Sequence, residues 1–206
     1  MILIHGFVEL AGGAERSIHW YSLLGLSHEG LGKGWLWQFL THALLHGNWT
    51  HVLLNGLFLG YFGARVSSIL GVRVFWQVLG AGVAAGGLFH LLSPSGDALV
   101  GSSGGIFALI LWYSTVSPES RMWPIPLSAR NFGLGLVLAS MILAALSFVP
   151  GLGESGGIFA ISHLCHLGGG LAGMLMARWL LRPRANLAEL RARREKREGR
   201  HEGGLR

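Results

Sequence analysis

Apolar residues dominate five long stretches of the chain, about 49–66, 74–92, 103–116, 132–149 and 158–181, joined by short polar or basic connections. Most of them approach the ~20 residues that a helix needs to cross the apolar layer of a bilayer. The stretch from Ser103 is short unless the apolar residues before it also lie at membrane depth, where irregular backbone survives only if it lines a cavity. Residues 1–14 are apolar too, but His5, Glu9 and glycines interrupt them. They lack the basic leader of a cleaved signal peptide and are expected to form a short or truncated first span, with a segment lying in the membrane interface as the alternative. Residues 12–34 mix charge, glycine and aromatics as an extramembrane loop would. Residues 35–51, rich in Trp and His, are expected to lie at the membrane surface.

Composition supports this pattern. Of the 206 residues 51% are hydrophobic and only 13% charged, with 33 glycines and 8 tryptophans, which points to a multi-pass membrane bundle rather than a soluble domain. The net charge of +6 suggests no nucleic-acid partner, because residues 182–206 carry nine Arg and Lys against four Glu and supply +5 of it. The division is therefore a membrane domain over 1–181 and a basic tail over 182–206 that suits an anionic membrane face. Arg65 and Arg73 flank one loop and Arg121 and Arg130 another, whereas the loops around Asp97 and Glu154 have no Lys or Arg. Basic loops stay in the cytoplasm, so the C-terminus is expected there, with Ser103 near the opposite end of its helix. Cys165 is the only cysteine, which excludes an intrachain disulfide and a cysteine metal cage.

The apolar runs contain polar residues that lipid does not tolerate. Asn55 follows His51 by four positions on one helical face, and His163 and His166 lie in the last run. Ionisable groups inside membranes are functional by default. Ser103 stands in Gly101-Ser102-Ser103-Gly104-Gly105 at the start of an apolar helix, where glycines allow close approach and unpaired N–H groups could face an oxyanion. A serine needs a base near neutral pH, and imidazole is the usual one. Carboxylates are scarce, only Asp97 and Glu154 being available on that side, so a Ser–His dyad is expected rather than a triad. Gly169 and Gly173 make one small-residue stripe, and Gly104 and Ala108 another; two such faces bring helix backbones into close contact.

The hexapeptide Ser-Gly-Gly-Ile-Phe-Ala occurs twice, from Ser103 and from Ser155. Ser155 precedes His166 by 11 residues, which separates them by roughly 16 Å if one helix carries both, so Ser103 is the better nucleophile. His42, His46, His51, His163 and His166 are numerous enough for zinc. However, H-E-x-x-H is absent and no well-placed carboxylate joins His42 and His46, so no metal is assigned.

Taken together, the residues resemble the rhomboid family of intramembrane serine proteases. The resemblance rests on His42-Ala43-Leu44-Leu45-His46-Gly47-Asn48-Trp49-Thr50-His51 with Asn55, on G-x-S-G at Gly101–Gly104, and on His166 followed by Gly169 and Gly173, and it covers residues 35–178. It implies an all-α bundle of six transmembrane helices with a water-filled cavity, no cofactor, and a multi-pass position in a membrane, here the plasma membrane of a bacterium. Ser103 would be the nucleophile and His166 the base, with Asn55, His51 and the Ser103 backbone N–H stabilising the oxyanion. The substrates would be transmembrane segments of other proteins in the lipid bilayer. The alternative is an inactive member that only binds membrane helices; such members lose the serine or the histidine, and both are present here. A non-catalytic transport role would leave the clustered polar residues unexplained. Two positions depart from the family: Trp37-Gln38 stands where many members have Trp-Arg, and Phe107 where many have a tyrosine packed on the histidine. His163 is an additional histidine, expected to be a structural partner of His166.

Overall fold

The computed structural model describes residues 2–10, 13–93, 97–149, 151, 161–182, 191, 192 and 194. Among them the chain is helical, and β-structure is limited to two isolated bridges, Leu26 with Leu99 and Arg121 with Ser128. In order the helices are α1 (Ile2–Leu10), α2 (Gly13–Leu24), α3 (His28–Gly32), α4 (Gln38–Thr41) running into a 3-10 turn (His42–Leu44), α5 (Trp49–Leu70), α6 (Val72–His90), α7 (Ser103–Val116), α8 (Ala129–Leu146) and α9 (His163–Leu180). Helices α5, α6 and α8 are long and apolar enough to cross a membrane, and α7 is a shorter apolar helix.

The five expected runs reappear with their ends moved, each for a local reason. Helices α5 and α6 extend towards each other until Gly71 alone separates them, because its φ of +85° makes the turn in one residue. Helix α8 starts at Ala129, where the Ser128 side chain accepts the Asn131 N–H at 3.3 Å. Helix α9 starts at His163 after Ser162, whose hydroxyl accepts the Cys165 N–H. The second copy of the hexapeptide and Glu154 lie outside the described residues. Residues 12–34 were expected to be a loop, and the structure corrects this: α2 and α3 occupy most of them. Helix α1 has nine residues, about 13 Å at 1.5 Å each, and packs on α5 through the edge-on contact of His5 with Trp49.

Helix α7 is the axis of the bundle. Ten of its residues from Gly104 to Ser114 are buried, and it packs against α5, α6, α8 and α9. Its core neighbours include Phe62, Val66, Val78 and Ala177. The close approach comes from the small residues. A Cβ on Gly169 would overlap the Gly104 carbonyl, and one on Gly173 would overlap that of Ala108, so the two expected stripes lie face to face. Helix α6 adds a third, with Gly82 against Ala108 and Gly105, and Gly86 against Cys165 and Gly104. Since apolar burial does not separate protein from lipid tails, this dispersion contact is what holds the three helices together.

Candidate active site

Ser103 is the first residue of α7 and His166 sits in the first turn of α9, so the stripe that joins these helices also brings their N-terminal ends together. The Ser103 hydroxyl lies 3.0 Å from His166 Nε2. Both residues are half-buried, whereas the glycines around them are buried. Phe107 lies flat on the His166 ring, centroids 4.1 Å apart and planes 5° from parallel, which fixes the imidazole without a hydroxyl. His163 meets the same ring edge-on at 5.8 Å and is itself buried. Among the described residues no carboxylate pairs with His166.

His51 and Asn55 approach from α5. Gly101 has a φ of +111°, and a Cβ there would come within 2.7 Å of the His51 ring and 3.5 Å of Asn55 Nδ2. Only glycine meets both conditions, so the backbone just before Ser103 passes directly over these two side chains. Asn55 is buried and its Nδ2 has no hydrogen-bond partner among the described residues. A buried donor left unpaired costs about 1–3 kcal/mol, which is tolerated where a ligand group takes the bond.

The segment 35–51 supports the site from behind. Gly101 N–H donates to the His42 carbonyl at 2.9 Å, and Leu26 and Leu99 exchange backbone bonds of 3.0 and 2.8 Å, so this segment and the one before it strap the strand of chain leading to Ser103. Gln38, where many rhomboids have an arginine, is fully buried. Its amide donates to the Ser22 and Leu23 carbonyls and accepts from the Ser27 N–H. With Trp37 Nε1 on Leu23 O and Thr41 Oγ1 on Leu24 O it satisfies the last carbonyls of α2. Gln38→Leu leaves the Ser22 carbonyl and the Ser27 N–H without the side chain that meets them, while Trp37 Nε1 stays on Leu23 O, and it is expected to cost about 1–3 kcal/mol, read as a fall in Tm. An unchanged Tm would show that the segment is held otherwise.

Three residues outside the expected set also belong to this end of the molecule. His46, in the segment before α5, packs edge-on against His51 with centroids 5.0 Å apart. Among the described residues the ring nitrogens of the buried His5 have no hydrogen-bond partner. Among the described residues no three His, Cys, Asp or Glu side chains are arranged to hold a metal ion. His90, at the end of α6, is the third. A histidine inside an apolar run is the signal that drew attention to His163, and it applied equally to His90 and to His5.

Burial pushes His42 and His46 down to about 4, against an ordinary value near 6.5. The unfolded chain therefore binds protons between pH 6.5 and 4 that the folded segment refuses, and stability falls as pH drops through that window. The expected result is a lower Tm at pH 5 than at pH 7.5. A Tm that is constant or higher at pH 5 would contradict the buried neutral state of these imidazoles.

Comparison with known proteins adds the family. Residues 33–183 match the model of the Rhomboid domain. The chain belongs to the rhomboid family. It is 32% identical over 152 residues to Rhomboid-like protein 11, chloroplastic, of Arabidopsis thaliana, covering 70% of this chain and 52% of that protein. It is 29% identical over 152 residues to Rhomboid protease GlpG of Serratia proteamaculans, covering 73% and 50%, and 32% identical over 144 residues to Rhomboid-related protein 2 of Mus musculus, covering 67% and 46%. The chain thus spans about half the length of the curated relatives it matches. Family and apolar helices together make it an integral membrane protein of the rhomboid type, a helical bundle.

Proposed function

We propose that this rhomboid is an intramembrane serine endopeptidase that cleaves transmembrane segments of other membrane proteins by a Ser103–His166 dyad. The observation that carries the reading is the 3.0 Å approach of Ser103 Oγ to His166 Nε2 at the half-buried meeting point of α7 and α9. Ser103 attacks the scissile carbonyl as His166 Nε2 takes its proton. The oxyanion is held by Asn55, His51 and the Ser103 N–H, an unpaired group at the helix start. His166 returns the proton to the leaving amine, and water then releases the acyl group. Relatives named as rhomboid proteases support this class of reaction. Helix α7, with 14 residues, is about 21 Å long and falls short of a ~30 Å apolar layer, which supports chemistry below the membrane surface.

The unpaired Asn55 Nδ2 gives a graded expectation. Asn55→Ala lowers the cleavage rate by about 10²-fold while the bundle stays folded, as loss of one oxyanion donor does. An unchanged rate would remove Asn55 from the oxyanion site. The nine basic residues of 182–206 support a cytoplasmic tail following a membrane domain over 1–181, and the Serratia and other bacterial relatives support a bacterial plasma membrane.

The test is reconstitution of the chain in liposomes with a panel of single-span proteins carrying small residues near one end of the span. Ser103-dependent cleavage within the span bears the reading out. Binding of the spans without cleavage by a folded protein would favour the inactive helix-binding member instead.

A further inference from the structure

His90 closes α6 and is 5% exposed, yet its ring has a partner at each nitrogen. Nε2 lies 3.1 Å from the Asp97 carbonyl oxygen and Nδ1 2.9 Å from Ser162 Oγ. A carbonyl only accepts, so Nε2 carries the proton and donates it. In the neutral ring Nδ1 is then the acceptor, and the Ser162 hydroxyl donates to it. Ser162 keeps its lone pairs for the Cys165 N–H, 3.4 Å away, as the N-cap of α9. The bonds form one directed chain, from Cys165 N–H through Ser162 and His90 to Asp97 O.

Its two ends are the two segments that carry the reacting groups. Ser162 caps the helix whose first turn presents His166, and Asp97 begins the stretch of chain that ends at Ser103. Small-residue packing at Gly104 and Gly169 sets how closely α7 and α9 approach, but that contact leaves the start of each helix free to shift along and around its axis. The bonds of Gly101 to His42 and of Leu99 to Leu26 hold the chain before α7 on one side, and the His90 bridge ties that chain to the start of α9. We propose that His90 is a positioning residue that holds Ser103 and His166 at proton-transfer distance by tying the N-cap of α9 to the chain before α7. The proposal rests on reading Ser103 and His166 as the dyad.

The test uses detergent-solubilised full-length chain and a fluorophosphonate probe, resolving the inactivation rate kinact from the binding constant KI, with Tm measured in parallel. Misplacement of a reacting group by a fraction of an ångström slows reaction without weakening binding, so His90→Phe and Ser162→Ala are each expected to lower kinact about 10-fold and leave KI unchanged. The double variant is expected to be no slower than the slower single one, since both remove the same bridge. His90→Asn, whose amide oxygen takes the place of Nδ1 and accepts from Ser162, recovers part of the rate. Wild-type kinact in His90→Phe, a loss confined to KI, or losses that multiply in the double variant would each overturn the proposal. Should His90→Phe not fold, Ser162→Ala decides, because it removes a single hydroxyl. Labelling that survives Ser103→Ala would sink the dyad reading itself; silent Ser103→Ala beside unaffected His90→Phe and Ser162→Ala sinks only the positioning role.

Discussion

Ser103→Ala and His166→Ala are each expected to abolish cleavage of a membrane-spanning substrate while leaving the Tm of the bundle close to that of the wild type. The two side chains act as one unit, since the hydroxyl attacks only as fast as the imidazole removes its proton. In serine proteases such members give losses on the order of 10⁶ that do not add when combined. Neither side chain carries the packing: Ser103 and His166 are half-buried, whereas the α7–α9 contact runs through Gly104, Ala108, Gly169 and Gly173. Full activity in either variant would remove it from the mechanism. Unfolding of either would mean that the 3.0 Å bond holds the helices and not only the chemistry.

Gly169→Val, like Gly173→Val, is expected to have a large effect although it adds nothing at the reacting atoms. Its Cβ would overlap the Gly104 carbonyl, a backbone group in the helix that starts at Ser103, so no side chain can turn aside to make room. Overpacking typically costs about 1–3 kcal/mol where neighbours adjust, and backbone obstruction lies at or above the top of that range. Helix α9 must move outward, carrying His166 away from Ser103. Loss of activity together with a lower Tm is the expected outcome. Gly135→Val on α8, where a Cβ meets nothing within 4 Å, is the control and should leave both unchanged. Equal behaviour of the two variants would show that the stripe is not what sets the spacing of the pair.

The parts of the molecule legible in the sequence are those that lipid constrains. Long apolar runs had to be helices, because no other backbone arrangement short of a closed barrel satisfies its hydrogen bonds there. Polar residues within them were conspicuous for the same reason, which is how Ser103, His166, Asn55 and His51 stood out. The stripes at Gly104 and Gly169 were readable because only very small residues let backbones touch. What stayed hidden depends on contacts across the fold. The charged and aromatic residues of 12–34 look like a loop by composition, yet α2 forms there, and its final carbonyls find Gln38, Trp37 and Thr41 from a later segment. Gln38 therefore anchors its segment through neutral hydrogen bonds to backbone. Gly71 ends one helix and starts the next within a single residue, and a φ of +85° is not visible in a run of letters.

The most direct measurement is fluorophosphonate labelling of the detergent-solubilised chain, comparing wild type with Ser103→Ala, His166→Ala and Ser155→Ala. Label is expected on the wild type and on Ser155→Ala, and none on Ser103→Ala or His166→Ala. Label that persists in Ser103→Ala and disappears in Ser155→Ala would assign the nucleophile to the second copy of the repeat and contradict the Ser103–His166 dyad.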